Sequence, residues 1–251
     1  MPRNQARKAG APKQARCTRE QNRGLGIQFS THVVGIPVCI FAKPPVPGRV
    51  KTRLACAVGP DLAAELARAM LHDVWWIVMN ATGVTPMLAA TEPGDFGLDV
   101  TENRVWPQQG ADLGCRIESI LQRGLQIAPA AIAVGADTPL LTAGDLTDAM
   151  EQLELGNAVL GPSDDGGFYL LGLRSCPSGA LAGIPWSCAR TCEITENRLG
   201  SCGMSVARVR SGFDVDTMAD IQKLRWHLQN LAPEIAPRTR ECLKAPAWSA
   251  S

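Results

Sequence analysis

Phe41-Ala42-Lys43-Pro44-Pro45-Val46-Pro47-Gly48-Arg49-Val50-Lys51-Thr52-Arg53-Leu54 joins a short apolar run, residues 38–41, to an Ala- and Leu-rich helical pattern. It holds four cations, three prolines and one glycine in what reads as a strand-to-helix turn. Such a turn suits an anion: backbone N–H groups and the positive end of the helix dipole point outward, and the Lys and Arg side chains add formal charge. The expectation is a phosphate-handling loop for a nucleotide, with Lys43, Arg49, Lys51 and Arg53 as its cations. Gly48 is the point where the backbone can approach a phosphate closely. The loop is not the usual P-loop, because G-x-x-x-x-G-K-[ST] is absent, nor the dinucleotide fingerprint G-x-G-x-x-G. A solvated basic loop capping a helix is the plain alternative, and it leaves the three prolines unexplained.

Outward from this loop, short apolar runs alternate with helical patterns. Strands are expected over 38–41, 85–90, 130–135, 158–161, 168–173 and 206–209, and helices over 60–79, 111–127, 142–155 and 217–230. This alternation predicts an α/β fold with a mainly parallel sheet and helices on both faces. Ligands in such sheets bind beyond the carboxyl ends of the strands, and the remaining candidates fall there.

Asp137 ends a buried strand and is followed by Thr138-Pro139. A carboxylate there suits Mg²⁺, which is held by one or two carboxylates plus substrate phosphates. The alternative is that Thr138 starts a helix. Asp214 and Asp216 lie two apart, so an extended segment points both the same way; Asp216 or Thr217 capping the next helix explains one of them, not both. Asp164-Asp165-Gly166-Gly167, with Tyr169 just beyond, reads either as a tight turn or as the entry for an acceptor substrate. Pro107-Gln108-Gln109-Gly110 brings polar groups to the start of a helix, where Asp112 is also a simple cap.

The body of the chain is mildly acidic. Residues 1–35 carry seven Lys/Arg against one Glu, a net of +6, and the rest of the chain a net of −5. The first 35 residues read as a disordered basic arm, 36–231 as a single domain, and 232–251, with three prolines, as a tail. The arm lacks the apolar core of a signal peptide, and no apolar run is long enough for a membrane span. The nine cysteines have no C-x-x-C spacing and form no metal-ligand pattern with the three histidines. Reduced, mostly buried thiols in a cytoplasmic protein are expected.

Together the segments FAKPPVPGRVKTRL, QQGADLGCRI, GADTPLL, GPSDDGGFYLLGL, IPW and DVDTMADI resemble one family. It is the GT-A-like glycosyltransferase A superfamily, of the type encoded beside radical-SAM and selenium-related genes. The matching segments lie in order within residues 38–224. A more distant likeness is to nucleotidyltransferases of the molybdenum-cofactor and 2-phospholactate type. The resemblance implies a nucleotide-diphospho-sugar transferase (GT-A, Rossmann-like) fold and a nucleotide or nucleotide-sugar donor. It implies that Lys43, Gly48, Arg49, Lys51, Arg53, Gln109 and Gly110 hold the nucleotide. Asp137 and Asp216 would bind Mg²⁺ or Mn²⁺, with Asp214 competing for the second place. Lys51 and Asp137 would be catalytic, and Asp165, Gly166, Gly167 and Tyr169 would face a small-molecule acceptor. Residues 187–192 match the family only loosely.

Three functions remain open at this point. Glycosyl transfer has the tighter motif match. Nucleotidyl transfer to a phosphorylated small molecule, releasing pyrophosphate, is favoured by four clustered cations. A non-catalytic nucleotide- or RNA-binding module using the basic arm is the remote alternative; nucleic acid is not the expected partner.

Overall fold

The computed structural model describes residues 35–249; the basic arm assigned to residues 1–35 lies, but for its last residue, outside them. Seven strands form one sheet: β1 Ile36–Ala42, β2 Val84–Ala90, β3 Val105–Pro107, β4 Ala131–Gly135, β5 Ala158–Pro162, β6 Phe168–Leu173 and β7 Val206–Arg208. Their order is β3-β2-β1-β4-β6-β5-β7. β1 pairs in parallel with β2 and β4, β2 with β3, and β5 with β7, whereas β6 runs antiparallel between β4 and β5. The reversal follows from the short connection of residues 163–167, since five residues can return a strand only antiparallel, a parallel neighbour needing a crossover of a dozen or more.

The helices are α1 Thr52–Val58, α2 Pro60–Asn80, α3 Leu113–Leu125, α4 Ala143–Glu154, α5 Thr191–Ser201, α6 Met218–Gln229 and α7 Pro237–Cys242. Strand side chains alternate between two cores. Val38, Ile40, Leu88, Ile132 and Val134 pack with α2 and α4 through Leu71, Val74, Leu146 and Leu153. Cys39, Met87 and Ala89 meet Ile120 of α3 on the other face, where Ala131 and Ala133 meet Ile117 and Leu121 of α3 and Leu199 of α5. Helices therefore cover both faces, as the alternating sequence pattern predicts.

The expected elements are found with their ends shifted by a few residues. β3, α1, α5 and α7 were not foreseen. The stretch read as a Pro-containing tail carries α7 and packs into a third apolar cluster, where Leu243 and Trp248 join Leu66 and Met70 of α2 and Ile221 of α6. Asp73 of α2 fastens it: nearly buried, its carboxylate accepts the Arg238 and Thr239 amides at 3.1 and 2.8 Å. All eight described cysteines are free, but only Cys39 and Cys192 are buried, so the expectation of mostly buried thiols fails for the other six. Among the described residues no helix is long and apolar enough to cross a membrane.

Candidate functional site

The pairing register brings the expected site residues to one sheet edge. Phe41 lies opposite Gly135, Ala42 opposite Ala90, and Ala90 opposite Pro107. Lys43, Thr91, Gln108 and Asp137 thus leave neighbouring strand ends together. Beyond those ends the ladder is extended by the Thr91 amide to the Ala42 carbonyl (3.1 Å) and the Gln108 amide to the Ala90 carbonyl (2.8 Å). The Val215 amide donates to the Asp137 carbonyl at 3.2 Å, docking the Asp214–Asp216 segment against β4's exit.

Lys51 is the centre of the arrangement. Its Nζ donates to Asp137 Oδ2 at 2.8 Å and to Asp216 Oδ1 at 2.7 Å. The Lys51 side chain is only 9% exposed, whereas the two carboxylates are 37% and 42% exposed and open to the crevice. Its backbone is left-handed, φ 45° and ψ 46°, at the N-cap of α1. A lysine adopts that conformation at a cost of about 1–2 kcal/mol, and such strain persists where surrounding structure demands it. Burial alone would favour a neutral amine, but the charge and hydrogen bonds of Asp137 and Asp216 reverse this and raise the Lys51 pKa. Burial likewise works against the Asp137 carboxylate, and Lys51 overrides it, holding that group below the usual carboxylate range.

Local hydrogen bonds release these carboxylates for the crevice. Thr217 takes the cap of α6 in a reciprocal box with Asp220, so Asp216 is not used as the cap. Thr138 Oγ1 donates to the Gly135 carbonyl at 2.9 Å and starts no helix; α4 is capped by Thr142 instead. Asp214 stands apart from Lys51 and accepts the Ser163 hydroxyl at 2.6 Å. Burial, together with the charges of Asp137 and Asp165, raises the Asp214 pKa against the pull of the Ser163 hydrogen bond. Asp112 is a cap, accepting the Cys115 amide at 2.8 Å.

Two cavities meet at this centre. One, of about 530 Å³, lies on the β1–β2 side and is lined by Lys43, Arg49, Lys51, Thr91, Gln108, Arg116 and Asp137. The other, of about 430 Å³, lies on the β4–β6 side and is lined by Arg53, Asp165, Gly167, Phe168, Trp186, Ser187, Cys188 and Asp214. Phe41, Leu113 and Asp216 line both. The first gathers four cations from two segments, three from the β1–α1 loop and Arg116 from α3. Arg49 is partly engaged by Glu92 at 2.8 Å, and Arg116 is steadied by the Gly110 carbonyl at 3.2 Å.

The residues expected from sequence therefore divide. Lys43, Arg49 and Lys51 share the cationic cavity, but Arg53 turns to the other one. Gln109, Gly110 and Gly48 line neither; Gln108 and Arg116, their neighbours in sequence, line the cationic cavity instead. Asp165 and Gly167 lie at the second cavity. Tyr169 borders it, but its hydroxyl donates to the Arg210 carbonyl at 2.9 Å and is not free for a ligand. Gly166 has a different use: at φ +86°, a Cβ there would stand 1.9 Å from the Ala189 carbonyl oxygen. It lets the loop from Trp186 to Ala189 close against the Asp165 turn. Trp186 had no expected site role and Leu113 reads from the sequence as an inward position of its helix; the structure leaves Leu113 42% exposed and brings both to the crevice.

The Asp137–Asp216 pair also fits a hard divalent cation. Both carboxylates already reach one cationic atom, Lys51 Nζ, at 2.8 and 2.7 Å, and their oxygens are the donor type that Mg²⁺ and Mn²⁺ take. Among the described residues no group of three or more His, Cys, Asp or Glu converges on a metal position. An ion here would therefore need oxygens from a bound substrate, as Mg²⁺ at phosphate sites commonly does.

The model of one protein family matches residues 62–188; the family is described as "Uncharacterized protein conserved in bacteria (DUF2064)". Among solved structures, one from Desulfovibrio desulfuricans G20 is similar, at 27% identity and a TM-score of 0.75 over 86% of this chain and 98% of that one; it is provisionally described as a nucleotide-diphospho-sugar transferase. A cytidylyltransferase from Leptospira borgpetersenii serovar Hardjo-bovis is similar in fold, at 12% identity and a TM-score of 0.50 over 84% of this chain and 94% of that one. No curated protein matches. The chain has the nucleotide-diphospho-sugar transferase fold.

Proposed function

The chain belongs to the DUF2064 family, and we propose that it is a transferase that uses a nucleotide-sugar donor, assisted by Mg²⁺ or Mn²⁺, to glycosylate a small acceptor. The observation that carries this reading is the Lys51–Asp137–Asp216 cluster at the junction of two cavities. A transfer reaction needs two substrates side by side with their reacting atoms at a shared boundary, and fixed charge at that boundary.

In this reading Lys43, Arg49 and Arg116 hold the donor's phosphates in the cationic cavity. Lys51 lies nearest the boundary and faces the negative charge that grows on the departing phosphate oxygen. Asp137 and Asp216 hold the divalent ion, which when bound neutralises phosphate charge. Leu113 and Phe41 line both cavities and give the boundary its apolar surface. In this reading the protein forms no covalent bond to the substrate.

Nucleotidyl transfer is the second reading, favoured by the four cations of the donor cavity, since a triphosphate brings more charge than a diphosphate. A thermal-shift panel with Mg²⁺ or Mn²⁺, comparing NTPs, NDPs and nucleotide-sugars, separates the two. A ligand that binds only the folded state raises the midpoint. Stabilisation by a nucleotide-sugar and its NDP is the expected result. Stabilisation by an NTP, with the nucleotide-sugar silent, would select nucleotidyl transfer, and silence from all three classes would remove the transferase reading.

A further inference from the structure

The second cavity has a chemistry of its own. One wall is apolar: Trp186 is half-buried, with Phe168 edge-on at 5.9 Å between ring centroids and 67° between planes. The lining also carries polar groups. Asp165 and Asp214 offer oxygens that only accept, while Arg53 and Ser187 offer donors.

The Trp186 wall is held rigidly. The Thr191 hydroxyl stands 2.8 Å from the carbonyl oxygens of both Pro185 and Cys188. The Cys192 amide donates to the Gly166 carbonyl at 2.8 Å. Gly114 of α3 allows a close approach from below, because a Cβ there would lie 3.0 Å from Trp186 Cζ2. Ser187, next in the chain, is left-handed at φ 61°. The turn that presents the indole is thus fixed from three sides.

The transferase reading above says that this cavity holds the second reacting group but leaves its chemistry open. We propose that the group is an uncharged, hydroxyl-bearing ring, a sugar or a cyclic polyol, lying with its C–H face on Trp186 and its hydroxyls on Asp165 and Asp214. A hydroxyl both donates and accepts, so it suits a wall that mixes carboxylates with an arginine and a serine. A phosphorylated ring does not: its phosphate would face Asp165 and Asp214 with Arg53 as the one cation among the cavity's described lining residues, since Lys51 is already paired with Asp216 at 2.7 Å. A simple cation would leave Arg53 and Ser187 without acceptors. The assignment makes Trp186 a specificity residue, next to residues 187–192, where the sequence matches the family it resembles only loosely.

Cys188 lines the same cavity and reports on its occupancy. The full-length protein is alkylated with iodoacetamide, and each cysteine is followed by peptide mass spectrometry. Exposed Cys202, at the far end of α5, serves as the internal reference. The competitors are the methyl glycosides of glucose, galactose, mannose and N-acetylglucosamine, the matching 6-phosphates, and choline.

At least one uncharged glycoside should slow Cys188 labelling by roughly threefold or more, as occupancy of two thirds of the sites requires, and leave Cys202 unchanged. Its 6-phosphate should protect less. The Trp186→Ala variant should lose the protection while keeping its nucleotide-induced thermal shift. Protection in protein already saturated with nucleotide-sugar would identify the ring as the acceptor; protection abolished by the nucleotide-sugar would identify it as the transferred sugar. The proposal is overturned if the phosphates or choline protect better than every glycoside, if no glycoside protects, or if Trp186→Ala is protected as well as the parent. With nucleotides still stabilising the protein, such a failure would strike this inference alone; the transferase reading falls only if the nucleotides fail as well.

Discussion

Replacing Lys51 separates charge from backbone strain, because this residue supplies both. In Lys51→Ala the ammonium is lost while the left-handed backbone, φ 45°, is retained. Breaking a fully buried ion pair costs about 3–5 kcal/mol. Here the carboxylates are 37% and 42% exposed, so water screens what remains. The expected loss is about 1–2 kcal/mol, between the buried and the surface limits. Lys51→Gly loses the same charge but relieves the strain, and should be more stable than the alanine variant by about 1 kcal/mol. For a chain of this size that is a melting temperature roughly 2–4 °C higher. Nucleotide affinity should behave differently. Both variants lose one charge-assisted contact to phosphate, worth about 1.5–3 kcal/mol, or about 10- to 150-fold in Kd. Calorimetry gives both quantities: differential scanning for stability, isothermal titration for the nucleotide. Equal melting temperatures for the two variants would refute the strain argument. Unchanged nucleotide affinity in both would show that Lys51 only locks the carboxylate pair, and the phosphate role assigned to it would fall.

Asp137→Asn should abolish metal-dependent turnover while leaving the far-ultraviolet circular dichroism of the folded protein intact; normal turnover would remove Asp137 from the metal site. Gly166→Ala should lower the melting temperature by roughly 5 °C or more, since the new methyl meets the Ala189 carbonyl at 1.9 Å and φ is +86°; an unchanged melting curve would mean that the Trp186 loop does not close as described. Acid stability should depend on Asp145, which is 3% exposed and accepts from Arg210 at 2.8 and 2.7 Å. Burial works against this carboxylate, but the hydrogen bonds from Arg210 and Thr142 more than reverse it, so its pKa lies below the ordinary 3.8. The unfolded chain then binds the proton more readily, and the contribution is whole above the ordinary value and lost as pH falls through the lowered one. Denaturant titrations of parent and Asp145→Asn should therefore differ most near neutral pH and converge in acid; a constant gap would contradict the assignment.

The sheet was legible because its strands are short apolar runs with a clear break at each end, and alternation with helical periods leaves few topologies. The insertion of β6 between β4 and β5 was less so, for nothing in the run from 158 to 173 states which neighbour a returning strand will choose. β3 has three residues and α7 six, too few for a period to show. The C-terminal segment was misjudged for a related reason. Its ordering depends on Asp73, some 165 residues away, accepting two backbone amides of α7. No local pattern near Pro237 announces that partner.

The candidate site shows the same limit in finer detail. At both Asp137-Thr138 and Asp216-Thr217 the sequence offers two groups able to satisfy the backbone, a carboxylate and a hydroxyl, and spacing alone does not say which is used. In both places the hydroxyl takes the local bond: Thr138 to the Gly135 carbonyl, Thr217 to the amide of Asp220. A hydroxyl suffices for a helix cap or a turn, whereas a half-exposed pair of carboxylates aimed at one point is self-repelling unless a cation lies between them. The fold places Lys51 there, in a backbone conformation a lysine does not favour. That the division of labour is the same at two sites, and that strain is accepted to supply the cation, argues that the carboxylate pair is what the local structure is built to present. An Asp–Thr dipeptide at the end of a buried strand or the start of a helix therefore reads better as a free carboxylate beside its own substitute cap than as two competing caps.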